Sequence, residues 1–584
     1  MPNIPSRAGI RVTAAVMVIN TTIADATATP LRKLTPSTNN PSSATITVAP
    51  ANSTARPDVL SARMHAASGS RPAMIGLGVG IDYALFILTR FREIYAENGG
   101  DVDEAVALAM DTSGRAVLFA GATVVISLLG MFALGVSFLY GLALAASLAV
   151  LTVLAASLTL MPALLRFFGR RVGEPGRIAR RLARRRRVRA VPRAGFWTRW
   201  VEAIQRRPVV AAVGATVFML ALATPALALR LGQSDAGNDP SSFTSRKAYD
   251  LIAHGFGPGV NGPLSVVVKL PARGGTATLS RVRAALARTP DVVAVAPPRM
   301  SPRGDTAVIN AYPRSSPQSE ETTRLVNHLR QQVIQPVART TNATIYVGGA
   351  TAIFIDFSHV LSSKLWLFIA VIVALSALLL MVVFRSLLIP LQAAVMNLLS
   401  IGAALGVVVM VFQLGWLPGV STGPIEAFLP VLMFSIVFGL SMDYEVFLVS
   451  RIHEEWTRGR DASAAIHEGL IETGRVITAA AAVMVVVFAS FIFGGTRVIA
   501  LFGVGLASAI LLDALVIRCI LLPAVLQLLG PRTWSFPAGL DRRLPQLALE
   551  HDGPVPGHTA AEPSGQELVS AGSADPATRA AGRR

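Results

Sequence analysis

The sequence is poor in charged residues and in cysteine. Asp, Glu, Lys and Arg make up only 15% of its 584 residues, whereas about 25% is usual in soluble proteins. Hydrophobic residues make up 52%, and the mean hydropathy is +0.54. This composition predicts an integral membrane protein. The single cysteine, Cys519, excludes an intramolecular disulfide framework and leaves the redox compartment open.

A nucleotide-binding loop and histidines with metal-ligand spacing are also missing. The sequence has no Gly-x-x-x-x-Gly-Lys-Ser/Thr loop, which argues against ATP hydrolysis by this chain. His453 and His467 lack the spacing of metal ligands. We therefore expect neither an enzyme nor a bound metal or cofactor.

Positive charge is concentrated in one stretch. The formal net charge is +19, and residues 166–207 alone contain 15 Arg and 2 Glu, a net charge of +13. Basic runs bind nucleic acid in some proteins. This run lies between two apolar spans, so a cytoplasmic loop that obeys the positive-inside rule explains it better. Contact with anionic lipid head groups is compatible with that role, and no nucleic-acid partner is expected.

Long apolar runs predict nine membrane spans, because about 20 helical residues cross a hydrocarbon core of about 30 Å. The runs lie at about 73–89, 115–136, 138–165, 209–230, 364–384, 388–412, 428–450, 475–494 and 498–528. The low-complexity segment 1–70 and the tail 531–584 are predicted to be disordered. If the Arg-rich loop is cytoplasmic, the C-terminus is cytoplasmic too.

The connection 231–363 is the only long one on the opposite side of the membrane. Its pattern predicts a small α/β domain in the order β-α-β-β-α-β, the ferredoxin-like arrangement. Ser315 or Ser319 is the expected cap of the second helix. The predicted elements are Leu264–Leu270, Leu279–Ala287, Val292–Ala296, Asp305–Tyr312, Glu320–Ile334 and Thr344–Val347.

One intramembrane motif occurs twice. Residues 78–83 read Gly-Val-Gly-Ile-Asp-Tyr and residues 439–444 read Gly-Leu-Ser-Met-Asp-Tyr, 361 positions apart. Self-similarity over such a distance indicates a duplication. Both copies run in the same direction through the membrane, so the repeats are parallel. The same offset relates Arg90 to Arg451, Glu93 to Glu454 and Pro162 to Pro523.

The chain resembles the MmpL (mycobacterial membrane protein large) branch of the resistance–nodulation–division superfamily. The resemblance rests on these motifs, on Ser/Thr-Gly-Arg before the span that follows each of them, and on the run 512–518. The resemblance covers about 73–530. It implies twelve spans in two halves, an outer porter-like domain in each half, and proton-driven export of lipids or other apolar cargo. Three spans and one outer domain of that plan are missing before Asp82. We therefore expect an N-terminally truncated copy, or a misplaced start.

The expected organisation follows from the spans and the repeat. A first repeat of three spans is followed by the Arg-rich loop and a further span, and a second repeat of five spans follows the porter-like domain. The segments are 1–70, 73–168, 169–207, 208–230, 231–363, 364–530 and 531–584.

Asp82, Tyr83, Asp443 and Tyr444 are the candidate proton relay. An ionisable side chain at mid-bilayer costs about 2.5–3.5 kcal/mol on insertion scales, so such residues are rare and usually functional. The alternative is a buried Asp that only ties helices together through a phenol. Duplication of the costly pair favours the relay. The glycines four residues before each Asp are assigned to helix packing: Gly78 and Gly439.

Five residues are candidates for supporting the relay, each with a structural alternative. Ser127 corresponds to a serine that faces the Asp-Tyr pairs in the family, but helix–helix hydrogen bonding explains a membrane serine as well. Asp513 and Arg518 form either a structural ion pair or part of the relay. Arg90 and Arg451 lie about 12 Å beyond each Asp along the helix. Interface anchoring is favoured there over proton exit.

The predicted function is proton-motive-force-driven export of lipids or other hydrophobic molecules across the inner (plasma) membrane. Its partners are this cargo, protons and membrane lipids; the cargo and the oligomeric state stay open. An accessory proton-driven subunit of protein secretion is the main alternative, because secretion factors of the same superfamily also use intramembrane carboxylates. A non-functional copy and a sterol-sensing or receptor role are further alternatives.

Overall fold

The computed structural model describes residues 80–173, 196–270 and 275–537. The predictions for residues 1–70, for Gly78 and the start of the first span, for most of the Arg-rich loop and for the tail beyond 537 lie outside the described residues.

Helices dominate the described part of the chain. They are α1 (80–97), α2 (Val102–Leu134), α3 (Ser137–Gly173), α4 (Phe196–Arg206), α5 (Pro208–Ala228), α6 (Thr244–Phe256), α7 (Gly275–Ala287), α8 (Glu320–His328), α9 (Ile334–Thr341), α10 (Ala350–Phe384), α11 (Leu388–Phe412), α12 (Leu429–Thr457), α13 (Ala462–Phe493) and α14 (Arg497–Trp534).

Among the described residues, eight of these helices are long and apolar enough to cross a membrane: α2, α3, α5 and α10 to α14. Each overlaps one of the last eight predicted spans. The first predicted span, 73–89, enters the described residues only at position 80, where α1 begins. The prediction of a polytopic helical membrane protein is therefore confirmed, while the count of nine spans stays a prediction.

Helix α12 lies at the centre of the helix assembly. Of its most apolar 18-residue stretch, 94% is buried, against 22% for α3 and 11% for α5. It packs against α2, α13 and α14. The exposed apolar side chains of α3 and α5 therefore provide the surface that we expect to face lipid.

The segment between α5 and α10 contains the strands. They are β1 (Leu231–Gly232), β2 (Leu264–Lys269), β3 (Val292–Val295), β4 (Arg299–Met300), β5 (Thr306–Pro313) and β6 (Thr344–Gly348), and β7 (Ile425–Glu426) follows α11. The main sheet has the order β3-β5-β2-β6 with antiparallel neighbours, and β4 pairs with β5. All six predicted elements of this segment have a counterpart in the structure.

The residue pattern explains this small sheet. In β2, Leu264, Val266 and Val268 are buried and alternate with more exposed residues, as one covered sheet face requires. Leu279, Val282 and Leu286 of α7 cover that face. The Ser319 hydroxyl caps α8 by accepting a hydrogen bond from the Thr322 amide at 3.2 Å.

Arg497, at the start of α14, holds helix ends together on one side of the helix assembly. It donates to the carbonyls of Phe412, Ser421 and Gly423 and to the Ser234 hydroxyl at 2.6–3.2 Å. Strand β1 pairs in parallel with β7 beside these contacts. The segment that leads into the small sheet is therefore fixed to the helix that carries Asp513 farther along.

Candidate functional site

The two Asp-Tyr motifs face each other across α1 and α12. The Tyr83 hydroxyl donates to the Asp443 carboxylate at 3.5 Å, so the phenol of one copy reaches the acid of the other. Tyr444 faces Asp82 in the same crossed manner, without the geometry of a hydrogen bond. All four side chains are buried, with Asp82 2% and Asp443 5% exposed. The duplication thus produces a paired site with approximate two-fold symmetry.

The two carboxyls have different surroundings. Asp443 also accepts a hydrogen bond from the Thr123 hydroxyl of α2 at 3.0 Å. One oxygen of Asp82 is buried without a hydrogen-bond partner. A buried carboxylate that lacks partners is costly when ionised and much less so when it holds a proton. Asp82 is therefore the less well solvated of the two acids.

Ser127 lies one helical turn beyond Thr123 but does not bond to either Asp-Tyr pair. Its hydroxyl donates to the Ser435 carbonyl of α12 at 2.9 Å. Of its two predicted roles, the geometry favours helix–helix hydrogen bonding.

Asp513 and Arg518 form a buried ion pair in α14, with a distance of 2.8 Å between Arg518 Nε and Asp513 Oδ2. The guanidinium also donates to the carbonyl and hydroxyl of Ser441, and its carbon lies 5.5 Å from the ring centroid of Tyr444. Both residues belong to a π-helical stretch, Asp513–Leu521. Such stretches often occur at functional sites. The ion pair therefore lies beside the Asp-Tyr motifs rather than apart from them.

Ser441 joins that ion pair to α11. Its hydroxyl contacts Asp513 at 2.9 Å and also contacts the side-chain amide of Asn397. A hydroxyl has one hydrogen, so it cannot donate to both oxygens. The Ser441 hydrogen is therefore available to only one of these oxygens at a time, while the Asn397 amide nitrogen donates to the Met442 sulfur at 3.3 Å.

Arg90 and Arg451 lie at a cavity of about 260 Å³ toward one end of α1 and α12. Arg90 pairs with Glu93 at 2.8 Å, and Arg451 pairs with Glu454 at 2.6 Å and with Glu93 at 3.4 Å. The two repeats therefore also cross here. We call this space the inner cavity.

A much smaller cavity, about 20 Å³, lies next to Tyr83 and Asp443. It shares Phe86 and Phe447 with the lining of the inner cavity, and the centroids of these two rings are 4.6 Å apart. This aromatic pair therefore lies where the two cavities adjoin.

Gly439 lets α12 approach α2 closely. A Cβ atom at this position would lie 2.8 Å from the Cα of Val124, which is closer than Cβ atoms pack. Its counterpart Gly78 lies outside the described residues.

A second cavity, of about 250 Å³, lies between the end of α5, the small sheet domain and the start of α10. Three of its lining residues carry a buried polar atom without a hydrogen-bond partner: Arg230 Nε, Asp235 Oδ2 and Ser358 Oγ. Burial raises the pKa of the Asp235 carboxyl above its usual range, against a hydrogen bond from the Gly237 amide. We call this space the junction cavity. In the described part of the chain, no cluster of His, Cys, Asp or Glu has the arrangement of a metal site.

Comparison with known proteins places the chain in a family. The MMPL family matches residues 57–211 and 269–547. The chain belongs to the MMPL family. The resemblance inferred from the repeated Asp-Tyr motifs is thereby confirmed. Both motifs and the ion pair of α14 lie within the matched residues.

Several curated proteins are similar to the chain. Membrane protein YdfJ of Bacillus subtilis is 36% identical over 82% of this chain and 65% of its own length. The mycolic acid-containing lipids exporter MmpL11 of Mycolicibacterium smegmatis is 35% identical over 85% of this chain and 54% of its own. The heme uptake protein MmpL11 of Mycobacterium tuberculosis is 34% identical over 83% of this chain and 50% of its own length. The chain thus spans between half and two thirds of the length of these relatives.

Four polar residues of the site were not singled out from the sequence. Thr123 and Asn397 lie in apolar spans, where a lone hydroxyl or amide carries little signal. Ser441 lies inside the second motif, but its counterpart is Gly80, so the repeat gave no support. Glu445 directly follows Tyr444 and is only 2% exposed. A carboxyl within an apolar span was a usable signal for that residue.

Proposed function

We propose that this MMPL protein is a transporter of the plasma membrane that uses the proton motive force to export lipids or other hydrophobic molecules. The observation that carries the proposal is the crossed pairing of two buried Asp-Tyr motifs between the repeats. Neutral hydrogen-bonding side chains are enough to tie helices together. A proton carrier needs a titratable group, because that group must exist with and without its proton.

The energy source fits the position of the pair. One proton that crosses a potential of 100 mV releases about 2.3 kcal/mol. Protonation of a buried carboxyl removes the cost of an ionised group in an apolar setting. Gain and loss of the proton at Asp82 and Asp443 therefore favour different packings of α1 against α12. Parallel repeats that rock against each other turn this difference into alternating access.

The inner cavity is the proposed route between the relay and the cytoplasm. It contains Glu93, Glu454 and Glu472, and the small cavity beside Tyr83 adjoins it. This assignment requires the orientation in which the Arg-rich loop and the C-terminus are cytoplasmic. In that orientation Arg90 and Arg451 keep the cavity mouth hydrated and balance its carboxylates.

The cargo side is assigned to the segment outside the membrane. Its strand order supports a ferredoxin-like, porter-like domain. The junction cavity combines unpartnered polar atoms with apolar residues such as Phe354 and Ile355, as contact with an amphiphile requires. One relative is named as an exporter of mycolic acid-containing lipids, which supports a lipidic cargo and the export direction. The uptake named for another relative concerns heme, which is also largely apolar.

The test is proton flux into liposomes that contain the chain and a pH-sensitive dye. Asp82→Asn and Asp443→Asn should each reduce flux more than about tenfold, because an amide carries no proton. Asp111→Asn, at an exposed ion pair of α2, is the control and should keep the flux. Flux that survives both relay substitutions would refute the proposal. In cells, stalled preproteins rather than accumulated lipid after loss of the chain would support the secretion alternative.

A further inference from the structure

Glu445 is a buried carboxyl outside the duplicated relay. It is 2% exposed, and its Oε1 atom has no hydrogen-bond partner. Its counterpart in the first repeat is Ala84, as Thr152 and Ser157 are the counterparts of Asp513 and Arg518. The second repeat alone therefore carries this additional set of charges.

Arg518 has a matching free donor. Its Nε atom binds Asp513 and its Nη2 atom binds Ser441, but its buried Nη1 atom has no partner. Arg518 and Asp513 are the charged groups that act electrostatically on Glu445. A buried donor and a buried acceptor of opposite charge thus stand unpaired in one cluster. Unpaired polar groups in an apolar interior are costly and are rarely kept without a role.

We propose that Glu445 is the alternate partner of Arg518, so that the guanidinium moves between Asp513 and Glu445 during the proton cycle. This inference rests on the proposed function of the Asp-Tyr relay. In the arrangement described here, Arg518 binds Asp513 and Ser441. In the other, Nη1 binds Glu445 and the bonds to Asp513 loosen. Glu445 is a positioning residue, because it acts through Arg518 and not on the transported proton.

The movement affects the relay through charge. The ionisable groups at this place are the guanidinium of Arg518, the carboxyls of Asp82, Asp443, Asp513 and Glu445, the phenols of Tyr83 and Tyr444, and the thiol of Cys519. Arg518 is the only cation among them. It lies over the Tyr444 ring, and Tyr444 faces Asp82. A shift of the guanidinium therefore changes how strongly the relay carboxyls hold their protons.

The first measurement is the pH profile of proton flux in liposomes. Glu445→Gln removes a negative charge near the relay, so half-maximal flux should move to lower pH by about one unit, for charges about 10 Å apart and an effective dielectric of about 20. Glu445→Asp should restore the profile in part. Glu104→Gln, an exposed glutamate of α2, should leave it unchanged. A profile that Glu445→Gln does not move would overturn the proposal.

The second measurement does not depend on transport. In a double-mutant cycle, Asp513→Asn alone leaves Glu445 to pair with Arg518, whereas Asp513→Asn with Glu445→Gln leaves the buried guanidinium without a carboxylate. The melting temperature of the double variant in detergent should fall by more than the sum of the two single decreases. Additive decreases would refute the exchange of partners. If the coupling is present but the unaltered chain conducts no protons, the proposed function fails and the pairing stands.

Discussion

Replacement of Thr123 by valine isolates one hydrogen bond to the relay. Valine has nearly the same shape, so the packing between α2 and α12 is kept while the hydroxyl is lost. Thr123 is buried and donates to Asp443 Oδ1 at 3.0 Å, but the Ala120 carbonyl lies within reach of the same hydrogen at 2.6 Å. Asp443 therefore receives only a share of this hydrogen bond.

The size of the effect follows from that sharing. A hydrogen bond to a charged group contributes about 1.5–3 kcal/mol, and a shared one belongs at the lower end. About 1.4 kcal/mol corresponds to one pH unit. Without the hydroxyl the ionised form of Asp443 is less stable, so the relay keeps its proton to higher pH. Half-maximal proton flux of Thr123→Val should therefore move upward by about one pH unit, measured in liposomes over a series of internal pH values.

Ser127→Ala is the matched control for this substitution. It removes a buried hydroxyl from the same helix, but that hydroxyl binds the Ser435 carbonyl and no carboxylate. We expect a loss of stability of about 0.5–1.5 kcal/mol and an unchanged pH profile. An unshifted profile in Thr123→Val, or an equal shift in Ser127→Ala, would show that the bond to Asp443 does not govern the relay.

Two further predictions concern packing and pH. Gly439→Ala should lower the melting temperature in detergent, because overpacking costs about 1–3 kcal/mol. Gly402→Ala is the control and should be tolerated, because the added Cβ would meet only another Cβ, at 3.6 Å. Equal melting temperatures of the two variants would contradict this prediction. Burial raises the pKa of Glu426, so the folded chain holds a proton that the unfolded chain has already lost. Its contribution to stability should therefore increase as the pH falls toward the usual glutamate pKa of about 4.5. Glu426→Gln should remove this contribution to the pH dependence of the melting temperature. If the melting temperatures of the variant and the unaltered chain change with pH in the same way, the prediction is refuted.

The sequence was sufficient for much of the fold, because the lipid environment imposes a simple pattern. Runs of about 20 apolar residues predicted the helices, and Val-rich alternation predicted the strands of the small sheet. Helix α6 was not predicted. Its apolar side chains Leu251, Ile252 and Phe256 are exposed and none of its residues is fully buried, so core packing does not account for this helix. The short pair β1 and β7 joins residues almost 200 positions apart, a contact that no local pattern encodes.

For the candidate site, duplication was the decisive signal. It singled out the acid and the phenol of each copy because the same costly residues recur at the same offset. It could not identify the crossed partners, since that depends on how α1 and α12 pack. It was also silent on Thr123, whose counterpart at the local offset of 360 is Val483. Some contacts, such as that of Thr123, occur in only one of the two repeats. They depend on how each helix is rotated about its own axis relative to its neighbours, which the spacing of residues in the sequence does not determine.

That rotation explains why α12 is the most buried of the spanning helices. Successive side chains of an α-helix point about 100° apart, so three consecutive residues cover more than half of its circumference. Asp443 contacts α1 and α2, Tyr444 faces Asp82, and Glu445 faces the cation of α14. A helix that uses three adjacent polar residues in this way must be enclosed by protein on nearly all sides, because any of them turned toward lipid would be costly. In the first repeat the third position is Ala84, which is only half-buried, so α1 needs protein contacts on a narrower face. The added glutamate and the enclosure of α12 are therefore two aspects of the same departure from symmetry between the repeats.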